Sequence, residues 1–422
     1  MSRSRTPLAV ASAVNLLANL LFPALAIRAL GIGPAADALF MVFILPGVVV
    51  VLLGNSVLNW ATPRLVRRSD PASRRQLAWS LLWILLGGVG ALCVLLSLPA
   101  WLLRPGLAAG SSYALAIDAL PAGCVAMLAA TGAAVGQALH TAGRAVLESE
   151  LRTLVANAVI LAVWFAVDPS TLAACAWLFA LRGVLHAGVL LPRLGMPRPA
   201  DLSDRDLREV LRDSRLLLLA ATYYKSEPFV DRLLFASVSG GAAAAFHLAH
   251  QLLATVTLLM NRVITAPMVA PLAERVHAGD GAGARRVLAR ALWRMALTGV
   301  LVWLLFAVAG EPLVRLLFLD AVPEAAHVAL TAQLLVLLGG YMLAILLGQT
   351  LAQAYYTTGH TRAVMWLGIA GFTLGLAIKA LALWYFGAAG LAAALSVSWL
   401  LNVSLYGLFR PAIFRRRPAP AG

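Results

Sequence analysis

The chain has 422 residues, of which 61% are hydrophobic and 12% are charged, and its mean hydropathy is +0.87. This composition excludes a soluble globular protein, because a chain of this kind would expose too much apolar surface to water. The net charge of +15 does not indicate nucleic-acid binding, since the arginines are spread over many short loops and form no basic domain. We therefore expect an all-α polytopic membrane protein.

Apolar runs of about 20 residues, the length of a helix that crosses a bilayer, recur along the whole chain. They predict about twelve transmembrane helices. The first six predicted helices cover residues 7–30, 35–62, 77–103, 113–140, 151–167 and 172–191, and the second six cover residues 216–237, 243–271, 288–309, 328–356, 363–386 and 388–408.

Most of the 33 Lys and Arg residues flank alternate ends of these helices. They gather before the first helix and again after the second, fourth, sixth, eighth, tenth and twelfth. Basic residues near helix ends stay on the cytoplasmic side of a membrane. Both termini are therefore predicted to be cytoplasmic.

Two short sequences recur in the two halves of the chain. QALHTAG at 137–143 ends the predicted fourth helix, and QAYYTTG at 353–359 ends the tenth. A second, weaker similarity relates ATPRL at 61–65 to VAPLA at 269–273. Six helices is an even number, so the two halves would have the same orientation, related by a pseudo-twofold axis along the membrane normal.

This repeat predicts an N-terminal six-helix lobe at residues 1–192 and a C-terminal six-helix lobe at residues 215–422. Between them, residues 193–214 form the longest polar segment and are predicted to be a cytoplasmic linker helix, with Ser203 as its N-cap and Asp206 three residues further on. No other loop is long enough to fold separately, which disfavours an enzyme with a soluble catalytic domain.

Charged residues inside apolar helices cost about 2.5–3.5 kcal/mol each at a helix centre, so they point to function. Arg182 lies in the predicted sixth helix and Arg262 in the eighth, while the seventh carries Lys225, Glu227, Asp231 and Arg232. Arg28 and Lys379 lie nearer helix ends, where their side chains could instead extend to the interface. The excess of basic groups predicts an electropositive cavity suited to phosphate oxygens.

In the predicted seventh helix, Lys225 and Arg232 are seven residues apart and share one face, whereas Glu227 and Asp231 share the opposite face. Pro228 lies between them. A proline inside a helix removes a backbone hydrogen bond and bends the axis, which predicts a hinge. The acids either form internal ion pairs that fix packing or serve a functional role.

Several uncharged polar residues also lie in the predicted helices, namely Asn15, Asn19, Asn59, His247, His250 and Gln251. They either line the cavity or form hydrogen bonds between helices, and the second role is common in membranes. The three cysteines, Cys93, Cys124 and Cys175, have no metal-ligand spacing, so no metal site is predicted.

Five segments in order along the chain resemble the MurJ-type lipid II flippases and the related polysaccharide exporters. They are LGIGPAADALFMVF at 30–43, TAGR at 141–144, EPFVDRLL at 227–234, EPLVRLLF at 311–318 and GAAGL at 387–391. The chain is therefore identified as a member of the multidrug/oligosaccharidyl-lipid/polysaccharide (MOP) exporter superfamily.

This resemblance implies a flippase that moves a polyprenyl-pyrophosphate-linked oligosaccharide across the bacterial cytoplasmic membrane by alternating access. Arg182, Lys225, Arg232, Arg262, Arg28 and Asn59 would bind this anionic lipid-linked substrate, and Glu227 and Asp231 would bind a coupling proton or Na⁺. The membrane potential is a further energy source. No cofactor is expected. Membrane lipids, a glycan polymerase or glycosyltransferases are the expected partners, and the chain is expected to be a monomer.

The sequence also departs from the MurJ pattern. An arginine expected before an Ile-Pro-Asn motif is absent from FILPG at 43–47, and an acidic residue expected before Gly54 is absent too. MurJ-type proteins carry two C-terminal helices beyond the twelve predicted here. These differences favour a Wzx-like exporter of another lipid-linked glycan. A cation or drug antiporter and a membrane glycosyl- or acyltransferase are the alternatives.

Overall fold

The computed structural model describes residues 5–53, 59–143, 145–317, 325–358 and 360–408, and throughout these ranges the chain forms helices and turns without strands. The all-α membrane fold is therefore confirmed. The helices are α1 (Arg5–Leu30), α2 (Pro34–Leu53), α3 (Asn59–Arg67), α4 (Pro71–Leu103), α5 (Ser112–Ala142), α6 (Val146–Val167), α7 (Leu172–Leu190), α8 (Arg205–Lys225), α9 (Glu227–Ala236), α10 (Ala242–Met260), α11 (Ala266–His277), α12 (Gly281–Leu317), α13 (Ala325–Leu337), α14 (Gly339–Thr357) and α15 (Thr361–Leu408).

Each of the twelve predicted transmembrane helices has a counterpart in this series. In the described ranges, nine helices are long and apolar enough to cross a membrane, and the bent pair α13 and α14 makes a tenth. The remaining two follow from the long helix α15, which contains two predicted spans, and from the predicted seventh helix, which is divided between the charged helix α8 and the 10-residue helix α9. The twelve-helix layout is thus consistent with the structure.

The two predicted helices within α15 meet at Gly387. This residue has φ 61° and ψ −144°, which breaks the helical path between the eleventh and twelfth predicted helices. Such a backbone conformation is open to glycine and strained for other residues. The boundary predicted between residues 386 and 388 therefore coincides with a glycine kink.

By their internal packing, residues Met1–Ala244 form one compact unit and Ala245–Gly422 form another. The predicted lobe boundaries at residues 192 and 215 stay a prediction. In the first unit, α5 packs closely against α2 and α7 because small residues face them. At Gly136, a Cβ atom would lie 2.9 Å from Leu190 Cβ, so no larger residue fits without displacement.

The linker helix begins one residue later than predicted and continues directly into the predicted seventh helix. Asp204, not Ser203, is the N-cap of α8, because its carboxylate accepts hydrogen bonds from the N–H groups of Asp206 and Leu207. Ser203 instead donates its hydroxyl to Asp201. Asp and Ser are about equally favourable N-caps, and here it is the Asp204 carboxylate that meets both N–H groups.

Arg68, which follows α3, forms ion pairs with two carboxylates at the start of α8. Arg68 Nη2 lies 2.7 Å from Asp204 Oδ2 and 2.8 Å from Asp206 Oδ2. Further along α8, the hydrogen bond from Arg205 holds the pKa of Glu209 below its usual range. These surface ion pairs are individually weak, so it is their grouping that fixes the linker.

Asp37, at the start of α2, is fully buried and caps the beginning of α10. Its carboxylate accepts hydrogen bonds of 2.7 Å from the N–H groups of Gly241 and Ala244, and Ser112 donates to it at 3.3 Å. A carboxylate at a helix N-terminus satisfies N–H groups that have no partner within that helix. Asp37 therefore has a structural role in the first unit.

The second unit packs its core around α11, α12, α14 and α15. Leu272, Leu288 and Leu351 are among its buried side chains. Tyr355, also buried there, donates its hydroxyl to the carbonyl of Tyr406 at 2.9 Å, which joins α14 to α15. Tyr355 lies within the repeated sequence that ends the tenth predicted helix, so the repeat marks a packed helix end.

Candidate functional site

Arg182 projects from the middle of α7 and is held by side chains of two other helices. Its Nε donates a hydrogen bond of 3.1 Å to Asn157 Oδ1 on α6, and its Nη2 donates to Asn19 Oδ1 on α1. The guanidinium carbon also lies 4.1 Å from the centroid of the Phe22 ring, a distance at which a cation and an aromatic face attract each other. Arg182 thus ties three helices together.

The two asparagines that contact Arg182 belong to a longer polar network. Asn157 Nδ2 donates to Asn15 Oδ1 at 3.1 Å, and Asn15 Nδ2 donates to Glu150 Oε2 at 2.8 Å. His186, one turn after Arg182, places its Nε2 at 3.1 Å from Asn157 Oδ1. The network therefore runs from a carboxylate on α6 through two amides to the guanidinium on α7.

This arrangement orients the positive charge of Arg182 without neutralising it. Among the described residues, no carboxylate lies within ion-pair distance of Arg182, and Glu150 reaches it only through Asn15 and Asn157. Its Nη1 group makes no hydrogen bond to any described residue, and the side chain is partly exposed. A guanidinium with a free donor edge is suited to phosphate oxygens.

The charges of the predicted seventh helix surround a break in that helix. The helix stops at Lys225, turns at Ser226 and resumes as α9. Pro228 therefore lies in the first turn of α9, where a proline needs no backbone donor, and not within a continuous helix as expected. The helix is therefore interrupted two residues before Pro228, and the hinge role of Pro228 stays a prediction.

The side chains next to this break are mostly buried. Arg232 is 1% exposed and donates from Nη1 to the carbonyl of Pro228 at 2.8 Å. Glu227 and Asp231 are also buried. Lys225 Nζ lies 5.4 Å from the centroid of the Tyr224 ring. The substrate and ion-coupling roles predicted for these residues stay predictions.

The other predicted site residues are dispersed. Arg28 is exposed in the last turn of α1. The side chains of Arg262 and Asn59 lie outside the described structure. Lys379 is 0% exposed, so it does not extend to an interface as one interpretation of its position allowed. Among the described contacts, none joins Arg182 to another predicted cation.

Sequence reasoning missed Glu150, Asn157 and His186. A signal for them was present in the spacing: Asn15 and Asn19 are four residues apart, as are Arg182 and His186, and Glu150 and Asn157 are seven apart. Each pair therefore occupies one face of its helix. Asn15 and Asn19 form hydrogen bonds between helices, which was the common role expected of them.

A family model described as the lipid II flippase MurJ matches residues 27–413 of the chain. Comparison with curated protein sequences gives no match.

Solved structures of two kinds resemble the fold. A lipid II flippase MurJ in an inward closed conformation has a TM-score of 0.78 and 13% identity, covering 96% of this chain and 87% of that chain. An inward-facing MATE family multidrug transporter of the MOP superfamily has a TM-score of 0.72 and 16% identity, covering 94% of each chain. A MOP superfamily transporter from Pyrococcus furiosus, described as having a binding pocket of reverse polarity, has a TM-score of 0.60 and 16% identity, covering 97% of this chain and 95% of that chain. Identities this low establish the fold alone.

Proposed function

Because this chain belongs to the MurJ lipid II flippase family, we propose that it moves a polyprenyl-pyrophosphate-linked oligosaccharide across the bacterial cytoplasmic membrane. The observation that carries this proposal is the guanidinium of Arg182. It is oriented by Asn19 and Asn157 and keeps its charge and one donor group available inside a membrane-spanning bundle. A pyrophosphate is the anionic part of such a substrate.

The proposed mechanism requires binding and movement but no covalent chemistry. Arg182 contacts the pyrophosphate, the isoprenoid tail remains in the lipid, and the sugars cross through the protein as the two lobes expose the site alternately. We place Lys225, Arg232, Arg262, Arg28 and Asn59 in the same substrate path as further proposals. Glu227 and Asp231 would bind a coupling proton or Na⁺. Pro228 would act as a hinge that lets α9 move relative to α8.

The substrate we favour is a glycan other than lipid II, of the kind moved by Wzx-like exporters. The support is the absence of the arginine and the acidic residue that the MurJ pattern carries near residues 43–54. A protein of this kind would act beside glycosyltransferases or a glycan polymerase, as a monomer with both termini in the cytoplasm.

A cation or drug antiporter is the second candidate. It is favoured by the structural likeness to MATE transporters and by two buried acids, Glu227 at 9% and Asp231 at 4% exposure. A cationic drug would, however, meet the uncompensated charge of Arg182. Transport of a cationic dye that is lost in Asp231→Asn and unaffected by Arg182→Ala would favour this candidate.

The flippase proposal is tested by binding. The full chain in lipid nanodiscs is titrated with a polyprenyl-pyrophosphate oligosaccharide and with the same polyprenol lacking phosphate. We expect binding that requires the phosphates and is weakened by Arg182→Ala. The matched control is Arg104→Ala, which removes another arginine, one that pairs with Asp118 at 2.9 Å near the end of α4. Equal binding of the two lipids by the wild-type protein would refute the proposal.

A further inference from the structure

Residues Asn261–Thr265 form a π-helical segment between α10 and α11 in the second unit. A π-helical turn bonds each N–H to the carbonyl five residues earlier, so it interrupts the hydrogen-bond pattern of the surrounding helix. Such turns are rare and occur often at functional sites. This one carries polar side chains and lies against α14.

The polar side chains of the two elements meet in one patch. Thr265 Oγ1 lies 3.0 Å from Thr350 Oγ1 on α14 and 3.1 Å from Asn261 Oδ1. Asn261 Nδ2 donates a hydrogen bond to Gln349 Oε1. The patch therefore contains two hydroxyl groups and two carboxamides, and none of these four side chains is charged.

The four side chains differ in exposure. Thr350 is 0% exposed and Thr265 is 4% exposed, so the hydroxyl groups form a buried floor. Gln349 is exposed and Asn261 is partly exposed, so the carboxamides form an accessible rim. Both helices belong to segments apolar enough to span a membrane. Exposed carboxamides at such a position are costly against lipid, so they indicate a surface that faces water or a polar ligand.

The remaining hydrogen-bonding capacity of the rim defines the ligand. Gln349 Nε2 makes no hydrogen bond to any described residue, and each carboxamide offers both donors and acceptors. A metal cation would need oxygen acceptors alone, whereas these carboxamides also present N–H donors. An uncharged group that both donates and accepts, such as a sugar hydroxyl, matches this surface.

We propose that Asn261 and Gln349, supported by Thr265 and Thr350, bind the sugar hydroxyl groups of a glycan ligand. This inference rests on the proposed function, which supplies a substrate with a glycan. It assigns the uncharged part of that substrate to a surface of the second unit.

The test separates sugar from phosphate by the choice of lipid. The full chain in nanodiscs is titrated with polyprenyl pyrophosphate carrying a disaccharide and with polyprenyl pyrophosphate carrying no sugar. We expect Asn261→Ala with Gln349→Ala to lower affinity for the disaccharide lipid about tenfold, because two uncharged hydrogen-bonding groups are lost. Affinity for the sugar-free lipid should stay within about twofold, because that lipid carries no sugar hydroxyl groups for the two carboxamides to bind.

The matched control is Gln76→Ala, which removes a glutamine at the polar start of α4 whose Nε2 donates to the carbonyl of Pro199 at 2.7 Å. It should leave both affinities unchanged. The single variant Gln349→Ala is measured in case the double variant fails to fold, because an exposed side chain can be truncated with little effect on packing. It should also lower affinity for the disaccharide lipid.

Three results would overturn the inference. Unchanged affinity of the double variant for the disaccharide lipid would show that the patch does not contact the glycan. An equal loss for both lipids would assign the patch to the pyrophosphate or to packing. A wild-type protein that binds neither lipid would refute the proposed function as well. In the first two results the wild-type protein still binds the sugar-free lipid, so only the inference about the patch fails.

Discussion

Arg182 in the first unit and the Asn261–Gln349 pair in the second unit are polar groups inside membrane-spanning helices. They differ in charge and in the side chains that hold them in place. Arg182 is a cation that two asparagines orient without cancelling its charge. Asn261 and Gln349 are uncharged, and hydroxyl groups lie beneath them. The first surface matches an anionic group chemically, whereas the second matches an uncharged group that donates and accepts hydrogen bonds.

The two units also differ in their buried ionisable groups. Asp37 in the first unit is 0% exposed and has described hydrogen-bond partners that account for its placement. Lys379 in the second unit is 0% exposed, so its charge is withdrawn from any surface that a ligand could reach. The comparison teaches that burial alone does not mark a binding group, because an available donor edge is also needed.

The largest effect is expected from replacing Arg182. Arg182→Ala should reduce phosphate-dependent binding about a hundredfold, or about 2.7 kcal/mol, because charge-assisted hydrogen bonds are lost. Arg182→Lys keeps a charge but carries all its donors on one nitrogen and lacks the planar fork of the guanidinium, so it should recover only part of the affinity. Titration of both variants with the pyrophosphate lipid measures this. Full recovery by lysine would show that charge alone matters and that the asparagine network does not position the group.

Replacing Asp37 should affect stability and leave ligand affinity unchanged. Asp37→Asn keeps the size of the side chain but loses a charged acceptor for Gly241 and Ala244, which should lower the free energy of unfolding by about 1–3 kcal/mol. Thermal unfolding in detergent measures the loss, and binding of the pyrophosphate lipid by the folded fraction is the control. A fall in affinity without a fall in stability would give Asp37 a binding role.

The element order could be predicted from the sequence because a helix that crosses a membrane requires a continuous apolar stretch of about 20 residues. Apolar stretches of about 20 residues, and a glycine at 387 between two of them, located the helices and the kink. The sequence predicted a bend at Pro228 within one continuous helix, whereas the structure has a break at Ser226. A proline is accepted both at a bend and in the first turn of a new helix, so its presence in the sequence does not distinguish the two cases.

The candidate site was only partly predictable for a related reason. Arg182 stood out as a charge in an apolar helix, but its partner Asn157 lies on α6, which approaches α7 only in the packed bundle. Helix rotation is set by packing between helices, which a single sequence does not display. The π-helical turn at Asn261–Thr265 left no signal in the hydrophobic pattern, because α10 and α11 continue the same apolar run.

Replacing Glu150 distinguishes positioning from ion coupling. Glu150→Ala removes the Oε2 acceptor of Asn15, while the backbone carbonyl of Glu150, 3.0 Å from Asn15 Nδ2, remains. We expect about a fivefold loss of affinity for the pyrophosphate lipid, the effect of one partly replaced hydrogen bond. Glu150→Gln retains an acceptor oxygen and should stay within about twofold of the wild type. If glutamine impairs transport as strongly as alanine does, Glu150 exchanges a proton and does more than hold Asn15.

The smallest effect is expected at Lys379, the buried cation of the second unit. Lys379→Met keeps an unbranched chain of similar length and removes the charge, so the volume of the buried side chain is retained. Because this side chain is 0% exposed, we expect affinity for the pyrophosphate lipid to stay within about twofold of the wild type. The variant matches Arg182→Ala in removing one positive charge from an apolar helix. If binding collapsed in Lys379→Met while the protein stayed folded, phosphate recognition would extend into the second unit, and charge would no longer separate the two surfaces.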